Sequence, residues 1–243
     1  MMFIRTKEAI RRILRAAGFD LRRRTIQASP ELQLQAILNS AKIDTVIDVG
    51  ANEGQYAAAL RASGYRGRII SFEPLRAAHE RLLRASARDR EWKVAERLAL
   101  GDRDGEVEIH VAANSVSSSI LPMLGRHEAA APESRYIASE VTPLRRLDSV
   151  LIDYVGAGAA VLLKVDTQGY EDRVLAGARE TLKSVRAVQL ELSLTPLYEG
   201  QLLLPDMLRM LESFGFRLHA LLPGFVDPST GQTLQVDGVF LRR

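Results

Sequence analysis

A short glycine-containing turn, followed by a distant carboxylate, has the composition of a nucleoside-binding site. Residues 48–54 read Asp-Val-Gly-Ala-Asn-Glu-Gly and lie between a predicted strand and a predicted helix. Gly50 and Gly54 allow the backbone to approach a ligand, and Glu73 follows at the end of the next predicted strand. A carboxylate about 20 residues beyond such a turn commonly binds a ribose diol. The pattern predicts a nucleoside-containing cofactor, and a tight turn without any ligand is the alternative.

The same turn favours S-adenosylmethionine over a dinucleotide. Asn52 occupies the middle glycine position of the dinucleotide-binding series G-x-G-x-x-G, where a pyrophosphate needs bare backbone. S-adenosylmethionine has no phosphate, and its sulfonium and zwitterionic amino-acid end suit carboxylates and carbonyl groups. The sequence also has no second domain of the kind that dehydrogenases use to position a substrate against nicotinamide. An NAD-type cofactor is therefore kept as the alternative.

Two carboxylates at the ends of predicted strands are candidate catalytic residues. Asp166 ends the strand 161–165, and Glu191 lies near the end of the strand 187–192. Neighbouring strands lie about 4.8 Å apart, so these carboxylates could act as base and orienting group, or hold a divalent cation together with water. Lys164 shares a strand face with Asp166, and we expect its ammonium to pair with Glu191, because a buried charge needs a partner. Such a pair would make Glu191 part of the scaffold instead.

A histidine offers a second route to proton removal. His127 lies in a segment, 113–140, that is predicted to be a long loop or cover over the active site. An imidazole near its usual pKa of about 6.5 could take the proton of an acceptor hydroxyl, although loops commonly carry exposed histidines. Tyr198 follows the Glu191 strand and could either stack on a sugar ring or pack against the edge of the sheet.

The elements that position these residues alternate along the chain. From residue 43 onwards, apolar runs of strand length alternate with helical patterns, which predicts a doubly wound α/β fold whose ligands bind beyond the carboxyl ends of the strands. The predicted strands are 45–49, 68–72, 92–95, 106–111, 161–165, 187–192, 216–222 and an antiparallel 238–241. The predicted helices are 55–62, 75–88, 170–182 and 205–214. We expect one domain at 41–243, preceded by a basic amphipathic helix and lead-in at 1–40.

Positive charge is concentrated at the N-terminus. Residues 1–24 carry eight Lys or Arg and two Asp or Glu, a net charge of +6 against +3 for all 243 residues. Their apolar residues recur at helical spacing, so the helix either packs on the domain, which we favour, or lies on an anionic membrane surface. The sequence contains neither a signal peptide nor the roughly 18 apolar residues of a membrane span. With no cysteine present, we expect a cytoplasmic protein, at the inner membrane surface if the helix binds lipid.

Five motifs occur in an order that resembles the FkbM family of class I methyltransferases: Asp48-Val-Gly-Ala-Asn-x-Gly54, Phe72-Glu-Pro74, Leu98-Ala-Leu-Gly-Asp102, Leu147-Asp148 and Lys164-Val-Asp-Thr-Gln-Gly-Tyr-Glu171. The resemblance covers the chain from about residue 43 onwards. It implies a seven-stranded, mostly parallel, Rossmann-like sheet, with S-adenosylmethionine bound by Asp48, Gly50, Asn52, Gly54, Tyr56, Glu73, Pro74 and Ala99. It favours the segment 114–127 as substrate-facing, with Ser118 and Ser119 as candidate acceptor contacts. From their positions in the chain, we also expect Gln168 and Tyr198 to contact the acceptor. Many members carry Glu at the position of Gln168. If that Glu is the base in those members, Gln168 cannot be the base here, and we expect it to contact the ligand or the backbone.

Together these features predict an O-methyltransferase that acts on a hydroxyl of a sugar, in a glycolipid or another glycosylated metabolite. An NAD-type oxidoreductase and a non-catalytic module that binds S-adenosylmethionine are the alternatives. The charge forms no broad basic face with interleaved aromatic residues, so we do not expect a nucleic-acid partner. The sequence leaves open the acceptor, the oligomeric state and the need for a metal.

Overall fold

The computed structural model describes residue 8 and residues 11–19, 23–156 and 158–242. The strands are β1 Thr45–Val49, β2 Arg68–Phe72, β3 Trp92–Val94, β4 Ala99–Leu100, β5 Gly105–Ala112, β6 Tyr136–Arg145, β7 Val161–Val165, β8 Ala187–Ser193, β9 Phe216–Pro223 and β10 Gln235–Arg242. The α-helices are α1 Pro30–Ser40, α2 Gln55–Ser63, α3 Arg76–Ser86, α4 Gly125–Ala130, α5 Leu147–Val150, α6 Glu171–Ala176, α7 Arg179–Ser184 and α8 Leu204–Ser213. Short 3-10 helices occupy Pro132–Ser134 and Leu151–Asp153.

The larger sheet has seven strands in the order β3-β2-β1-β7-β8-β10-β9. The five strands from β3 to β8 are parallel, and β10 is antiparallel to both of its neighbours. The chain continues to β2 on one side of β1 and returns as β7 on the other, which creates the crevice where such sheets bind ligands. The predicted seven-stranded, mostly parallel α/β fold is therefore confirmed.

Two apolar layers cover the sheet, because alternate residues of a strand face opposite sides. Ile47 and Leu163 point into the layer shared with α6, α7 and α8, whereas Val46 and Leu162 point into the layer shared with α1 and α2. The sequence analysis left α1 as part of the lead-in, but its buried residues belong to the second layer. The domain boundary at residue 40 stays a prediction.

A second, three-stranded sheet in the order β4-β6-β5 was not predicted. The segment 113–140, predicted as a long active-site loop or cover, is not a loop throughout, because it contains α4, a 3-10 helix and the first residues of β6. Its serine-rich part does cover a cavity at the ends of the strands. The strand β6 is held by its antiparallel pairing with β5. Its Ser and Thr residues and Pro143 give no apolar run, and proline is unusual inside a strand, so the local sequence carried little signal.

The predicted helix at 170–182 is two helices, α6 and α7. They separate at Gly177, where a Cβ atom would overlap the carbonyl oxygen of Gly101. The side chain of Asp148 caps the N-terminus of α7 from outside the helix. Its carboxylate accepts hydrogen bonds from the backbone N–H groups of Glu180, at 3.0 Å, and Thr181, at 2.8 Å. The break thus lets the chain pass close to Gly101.

Most described residues of the basic N-terminal segment are exposed, whereas Leu14 is half-buried. Residues 11–16 are helical, and the side chains of Ile13 and Phe19 are 68% and 67% exposed. The favoured prediction, a helix packed on the domain, stays a prediction. Residues 1–7, 9–10 and 20–22 of the predicted helix lie outside the described residues. No helix in the described ranges is long and apolar enough to cross a membrane.

Candidate active site

A cavity of about 310 Å³ lies at the carboxyl ends of β1, β2 and β7. It has an apolar end between the β2 end and the small sheet, and a polar end over β7, β8 and β10. Ten predicted site residues line it: Gly50, Asn52, Tyr56, Glu73, Pro74, Ala99, Ser118, Ser119, Asp166 and Gln168. The other five, Asp48, Gly54, His127, Glu191 and Tyr198, lie behind its wall.

The turn after β1 is held to the end of β2 by Glu73. One carboxylate oxygen of this residue accepts a hydrogen bond from the backbone N–H of Asn52 at 2.8 Å, and the other accepts one from the N–H of Leu75 at 2.8 Å. Burial raises the pKa of Glu73 to about 7, against the effect of these two bonds. A half-ionised, buried carboxylate therefore faces the cavity at the position predicted for the ribose diol.

Both glycines of the turn are required, for different reasons. Gly50 has φ of +76°, and a Cβ atom there would overlap the carbonyl oxygen of Asp166. Gly54 has φ of +94°, and its Cβ would lie 2.7 Å from the Trp92 ring. Gly50 thus lets β1 and β7 meet under the cavity, whereas Gly54 packs α2 against β3.

The partner of Lys164 differs from the prediction. Its ammonium lies 3.2 Å from Asp48 and 3.4 Å from Asp166, and no ion pair forms with Glu191. The reason is the register, because Lys164 is directly opposite Asp48 on β1, whereas its neighbour on β8 is Gln189. Burial lowers the pKa of Lys164, but Asp166 and Asp48 outweigh this effect and raise it. Burial raises the pKa of Asp48, and Lys164 opposes the rise.

The polar end of the cavity includes two residues that the sequence analysis missed. Gln189 accepts a hydrogen bond from the Tyr56 hydroxyl at 2.7 Å, and Asp237 lies opposite Glu191 in the pairing of β10 with β8. Burial and the nearby Asp166 raise the pKa of Asp237 to about 6. An isolated Asp in a terminal antiparallel strand gives no sequence signal, since only the sheet order brings it to the cavity.

Gln168 lies between the two predicted catalytic carboxylates. Its amide nitrogen donates to Asp166 at 2.9 Å and to Glu191 at 2.8 Å, and its amide oxygen accepts from the Tyr198 hydroxyl at 2.7 Å. Glu191 also accepts from the Gln235 amide at 2.6 Å. An amide donor thus occupies the space that a divalent cation would need between the carboxylates. In the described part of the chain, no three His, Cys, Asp or Glu side chains are placed to hold a metal ion, so the residues do not fit a metal here.

His127 is not positioned over the cavity. It lies on α4 and is buried, with its ring edge-on to Tyr198 at a centroid distance of 5.2 Å and tilted against Phe225 at 5.6 Å. Burial lowers its pKa below the usual value for histidine. Tyr198 is itself fully buried, so it supports Gln168 from behind and its ring is not free to stack on a sugar.

The serine-rich segment before α4 covers the cavity. The Ser115 hydroxyl lies 3.2 Å from the Asn52 amide nitrogen, which links this segment to the turn after β1. Ser119 donates to the carbonyl oxygen of Gln168 at 2.7 Å, and Ser118 accepts from the N–H of Ala112 at 3.0 Å. The two serines therefore line the cavity while their hydroxyls also fix its cover.

The chain is similar to several known proteins. The sequence model of a protein family, the methyltransferase FkbM domain, matches residues 48–218. The 2-O-methyltransferase NoeI of Sinorhizobium fredii is 29% identical over 215 residues, which cover 83% of this chain and 84% of that protein. Among solved structures, a putative RNA methyltransferase, PH1948 of Pyrococcus horikoshii, has a TM-score of 0.48 at 15% identity and covers 89% of this chain and 81% of its own. Aeropyrum pernix fibrillarin, with S-adenosyl-L-methionine bound, has a TM-score of 0.47 at 14% identity, with 82% and 66% covered.

Proposed function

The chain belongs to the FkbM family of methyltransferases, and we propose that it transfers the methyl group of S-adenosylmethionine to a hydroxyl oxygen of a sugar. The similarity to NoeI, whose name specifies methylation of an oxygen, supports an oxygen acceptor. The polar end of the cavity supports a hydroxylated one, because carboxylate and amide side chains there can bind hydroxyl groups.

The charge of the cavity wall is the observation on which the choice of cofactor rests. The charged side chains that line it are Glu73, Asp166 and Asp237 against Lys164. The excess of carboxylates favours a sulfonium and an ammonium, and it disfavours the pyrophosphate of a dinucleotide. The apolar end, between Leu75 and Ile109, suits an adenine ring. This wall supports S-adenosylmethionine over the NAD-type alternative.

The chain's own contribution is positioning and removal of a proton. When bound, S-adenosylmethionine supplies an electrophilic methyl group, and its sulfur keeps the electron pair of the C–S bond as the acceptor oxygen forms the new C–O bond. Asp166 is the carboxylate at the β7 end that faces the cavity, and we assign it the proton that the hydroxyl loses. Lys164 at 3.4 Å and the Gln168 amide at 2.9 Å hold that carboxylate in place, and alignment of the reacting groups supplies much of the rate.

Titration calorimetry tests the cofactor. We expect S-adenosylhomocysteine to bind with micromolar affinity and NAD to give no saturable heat. The variant Glu73→Ala should lose binding, whereas Glu80→Ala, on the exposed side of α3, should bind like the wild type. Saturable binding of NAD without binding of S-adenosylhomocysteine would overturn the cofactor assignment.

Methyl transfer to defined glycosides tests the reaction. Methyl glycosides and a glycolipid are incubated with a labelled methyl donor, and the product is located by mass spectrometry. We expect an O-methyl ether that Asp166→Asn reduces at least a hundredfold, because a general base commonly contributes about 10²–10⁴ in rate. Cofactor binding without transfer to any glycoside would instead favour a different acceptor or the non-catalytic binding module.

A glycolipid acceptor agrees with the exposed N-terminal segment. Arg11 and Arg12 are exposed beside the apolar Ile13 and Phe19, and residues 1–24 carry a net charge of +6. Exposed apolar and basic side chains on one short segment complement an anionic phospholipid surface. We therefore include contact with such a surface in the proposal.

Vesicle sedimentation tests the lipid contact with the full chain. Binding to phosphatidylcholine vesicles that contain phosphatidylglycerol should fall about thirtyfold in Arg11→Gln/Arg12→Gln, since each basic residue contributes about 1 kcal/mol. Ile13→Ala should also bind less, whereas Ile152→Ala, which removes an 84% exposed apolar residue elsewhere, should not. Equal binding to neutral and anionic vesicles would contradict this part of the proposal.

A further inference from the structure

The side chain of Gln168 makes three hydrogen bonds at the cavity wall, which use both of its donors and one of the two lone pairs of its oxygen. Both amide hydrogens are used by carboxylates, on Asp166 and Glu191, and the amide oxygen is used by the Tyr198 hydroxyl. These partners come from the end of β7, from β8 and from the loop after β8. Because neither amide hydrogen is left to donate to a substrate, we expect the main contribution of Gln168 to come through the groups that it holds.

The orientation of the amide follows from the chemistry of its neighbours. The NH2 faces Asp166 and Glu191, which is the orientation that a carboxylate requires, because an ionised carboxylate only accepts hydrogen bonds. The oxygen must then face Tyr198, whose hydroxyl is the donor on that side. A reversed amide would place its oxygen against two carboxylate oxygens and lose the two hydrogen bonds to Asp166 and Glu191.

The backbone conformation of Gln168 determines the position of its side-chain amide. Gln168 has φ of +55°, a left-handed conformation that is uncommon for a residue other than glycine. Glu171 holds this turn, because its carboxylate accepts from the N–H groups of Thr167 at 2.8 Å and Gly169 at 3.2 Å. The Ser119 hydroxyl binds the Gln168 carbonyl oxygen from the other side. The strained turn is thus secured by two segments outside it.

The amide separates two carboxylates that would otherwise repel each other. Both bind the same nitrogen atom within 3 Å. The ionisable groups that face this cluster are Lys164 and Asp166 on or after β7, Asp48 on β1, Glu171 on α6, Glu191 on β8, Asp237 on β10 and Tyr198. Acidic groups outnumber the one ammonium, so a neutral double donor stabilises the ionised pair without adding charge.

We infer that Gln168 is a positioning residue, which orients the Asp166 carboxylate towards the acceptor hydroxyl by tying it to Glu191 and Tyr198. The inference rests on the proposed function, since it assumes that Asp166 takes the proton. This indirect role of Gln168 differs from the direct contact with the acceptor that we expected from the sequence. In this arrangement Glu191 and Tyr198 act only through Gln168, which explains why both lie behind the cavity wall.

The variant Gln168→Asn tests the inference. Asn keeps the amide and tolerates positive φ well, but it withdraws the donor by one methylene. We expect kcat to fall about tenfold or more, with the affinity for S-adenosylhomocysteine within threefold of the wild type. The matched control is Gln27→Asn at an exposed position. A kcat within twofold of the wild type, or a parallel loss of cofactor affinity, would overturn the positioning role.

A second measurement needs no acceptor. The carboxyl carbon of Glu191, assigned with Glu191→Gln, is titrated by NMR in the full chain with S-adenosylhomocysteine bound. Burial already raises the pKa of Glu191 above its usual range, and loss of the amide donor in Gln168→Asn should raise it further. An unchanged titration contradicts the inference. If the wild type methylates no glycoside, the proposed function fails, but this comparison still decides whether Gln168 holds the pair.

Discussion

The ammonium of Lys164 lies 3.2 Å from the carboxylate of Asp48, and the two residues are directly opposite each other on β7 and β1. The pair is buried beneath the cavity, in the two central strands of the sheet. Apart from Thr45, the other residues of both strands are apolar, so each charge of the pair has to be compensated by the other.

We expect Lys164→Met to lower the free energy of unfolding by about 3 kcal/mol, because it leaves a buried carboxylate unpaired. The pKa of Asp48 is raised by burial, and without Lys164 it rises further. The folded state then binds more protons than the unfolded state, so the loss is smallest in acid and grows as the pH increases through that pKa. Urea unfolding at pH 5 and pH 8 measures the effect. The double variant Asp48→Asn/Lys164→Met should recover part of the stability, and an equal loss in single and double variants would contradict the pairing.

Cofactor affinity should depend on the ionisation of Glu73. Its pKa of about 7 means that the carboxylate is mostly protonated at pH 6 and mostly ionised at pH 8. If the ionised form accepts the ribose hydroxyls, the affinity for S-adenosylhomocysteine should rise about tenfold between these values. Calorimetry in two buffers of different ionisation enthalpy would also detect the released proton. Glu73→Gln should remove the dependence, and a pH-independent affinity of the wild type would contradict this role.

Gly50→Ala should cost more than its backbone conformation alone explains. The new Cβ would overlap the Asp166 carbonyl oxygen, so β1 and β7 must separate under the cavity. Gly231→Ala is the matched control, because Gly231 has a similar φ of +73° but no atom within 4 Å of its Cβ position. We expect the control to lose about 1–2 kcal/mol, and Gly50→Ala to lose more and to abolish cofactor binding. If thermal unfolding showed equal losses of stability in Gly50→Ala and Gly231→Ala, the overlap with the Asp166 carbonyl oxygen would not contribute to the cost.

Asp148 should matter for stability and not for binding. It accepts hydrogen bonds from two backbone N–H groups at the start of α7 and from the Thr181 hydroxyl at 2.7 Å. Loss of such a cap costs about 0.5–2 kcal/mol. Asp148→Ala should therefore lower the unfolding temperature while the affinity for S-adenosylhomocysteine stays unchanged. A changed affinity of Asp148→Ala for S-adenosylhomocysteine would contradict this prediction and would indicate that Asp148 contributes to the cofactor site.

Gln168→Glu should make activity depend on pH in a new way. A glutamate there would face Asp166 and Glu191 as a third carboxylate, which raises its pKa. It can donate to a neighbour only while protonated, so the variant should retain activity at low pH and lose it as the pH rises through the raised pKa. The ratio of kcat between variant and wild type from pH 6 to pH 8.5 tests this. A ratio that is constant across this range would contradict it.

The local pattern of apolar residues was sufficient to predict most strands of the larger sheet. The apolar runs that became β1, β2, β7 and β8 are buried on both faces, and such strands are recognised from composition alone. The turn after β1 was also readable, because Gly50, Asn52 and Glu73 have roles that depend on residue type and short spacing. The family resemblance extended this to residues such as Pro74 and Ala99, which line the cavity.

The small sheet and the helix α1 could not be predicted from local sequence pattern. The strand β6 pairs with β5 through backbone groups, and its side chains are partly exposed, so no apolar period marks it. The segment predicted as a loop is ordered largely by contacts with residues far away in the chain, for example that of Ser115 with Asn52.

The sequence by itself thus determined the central strands of the parallel sheet and the glycine turn after β1, because these depend on hydrophobic period and on the conformational freedom of glycine. Only the tertiary structure decided which charges meet. Lys164 pairs with Asp48 and Asp166, Asp237 reaches the cavity, and Gln168 separates Asp166 from Glu191. The physical reason is that the partner of a side chain is set by the register and order of strands, which chain spacing does not encode.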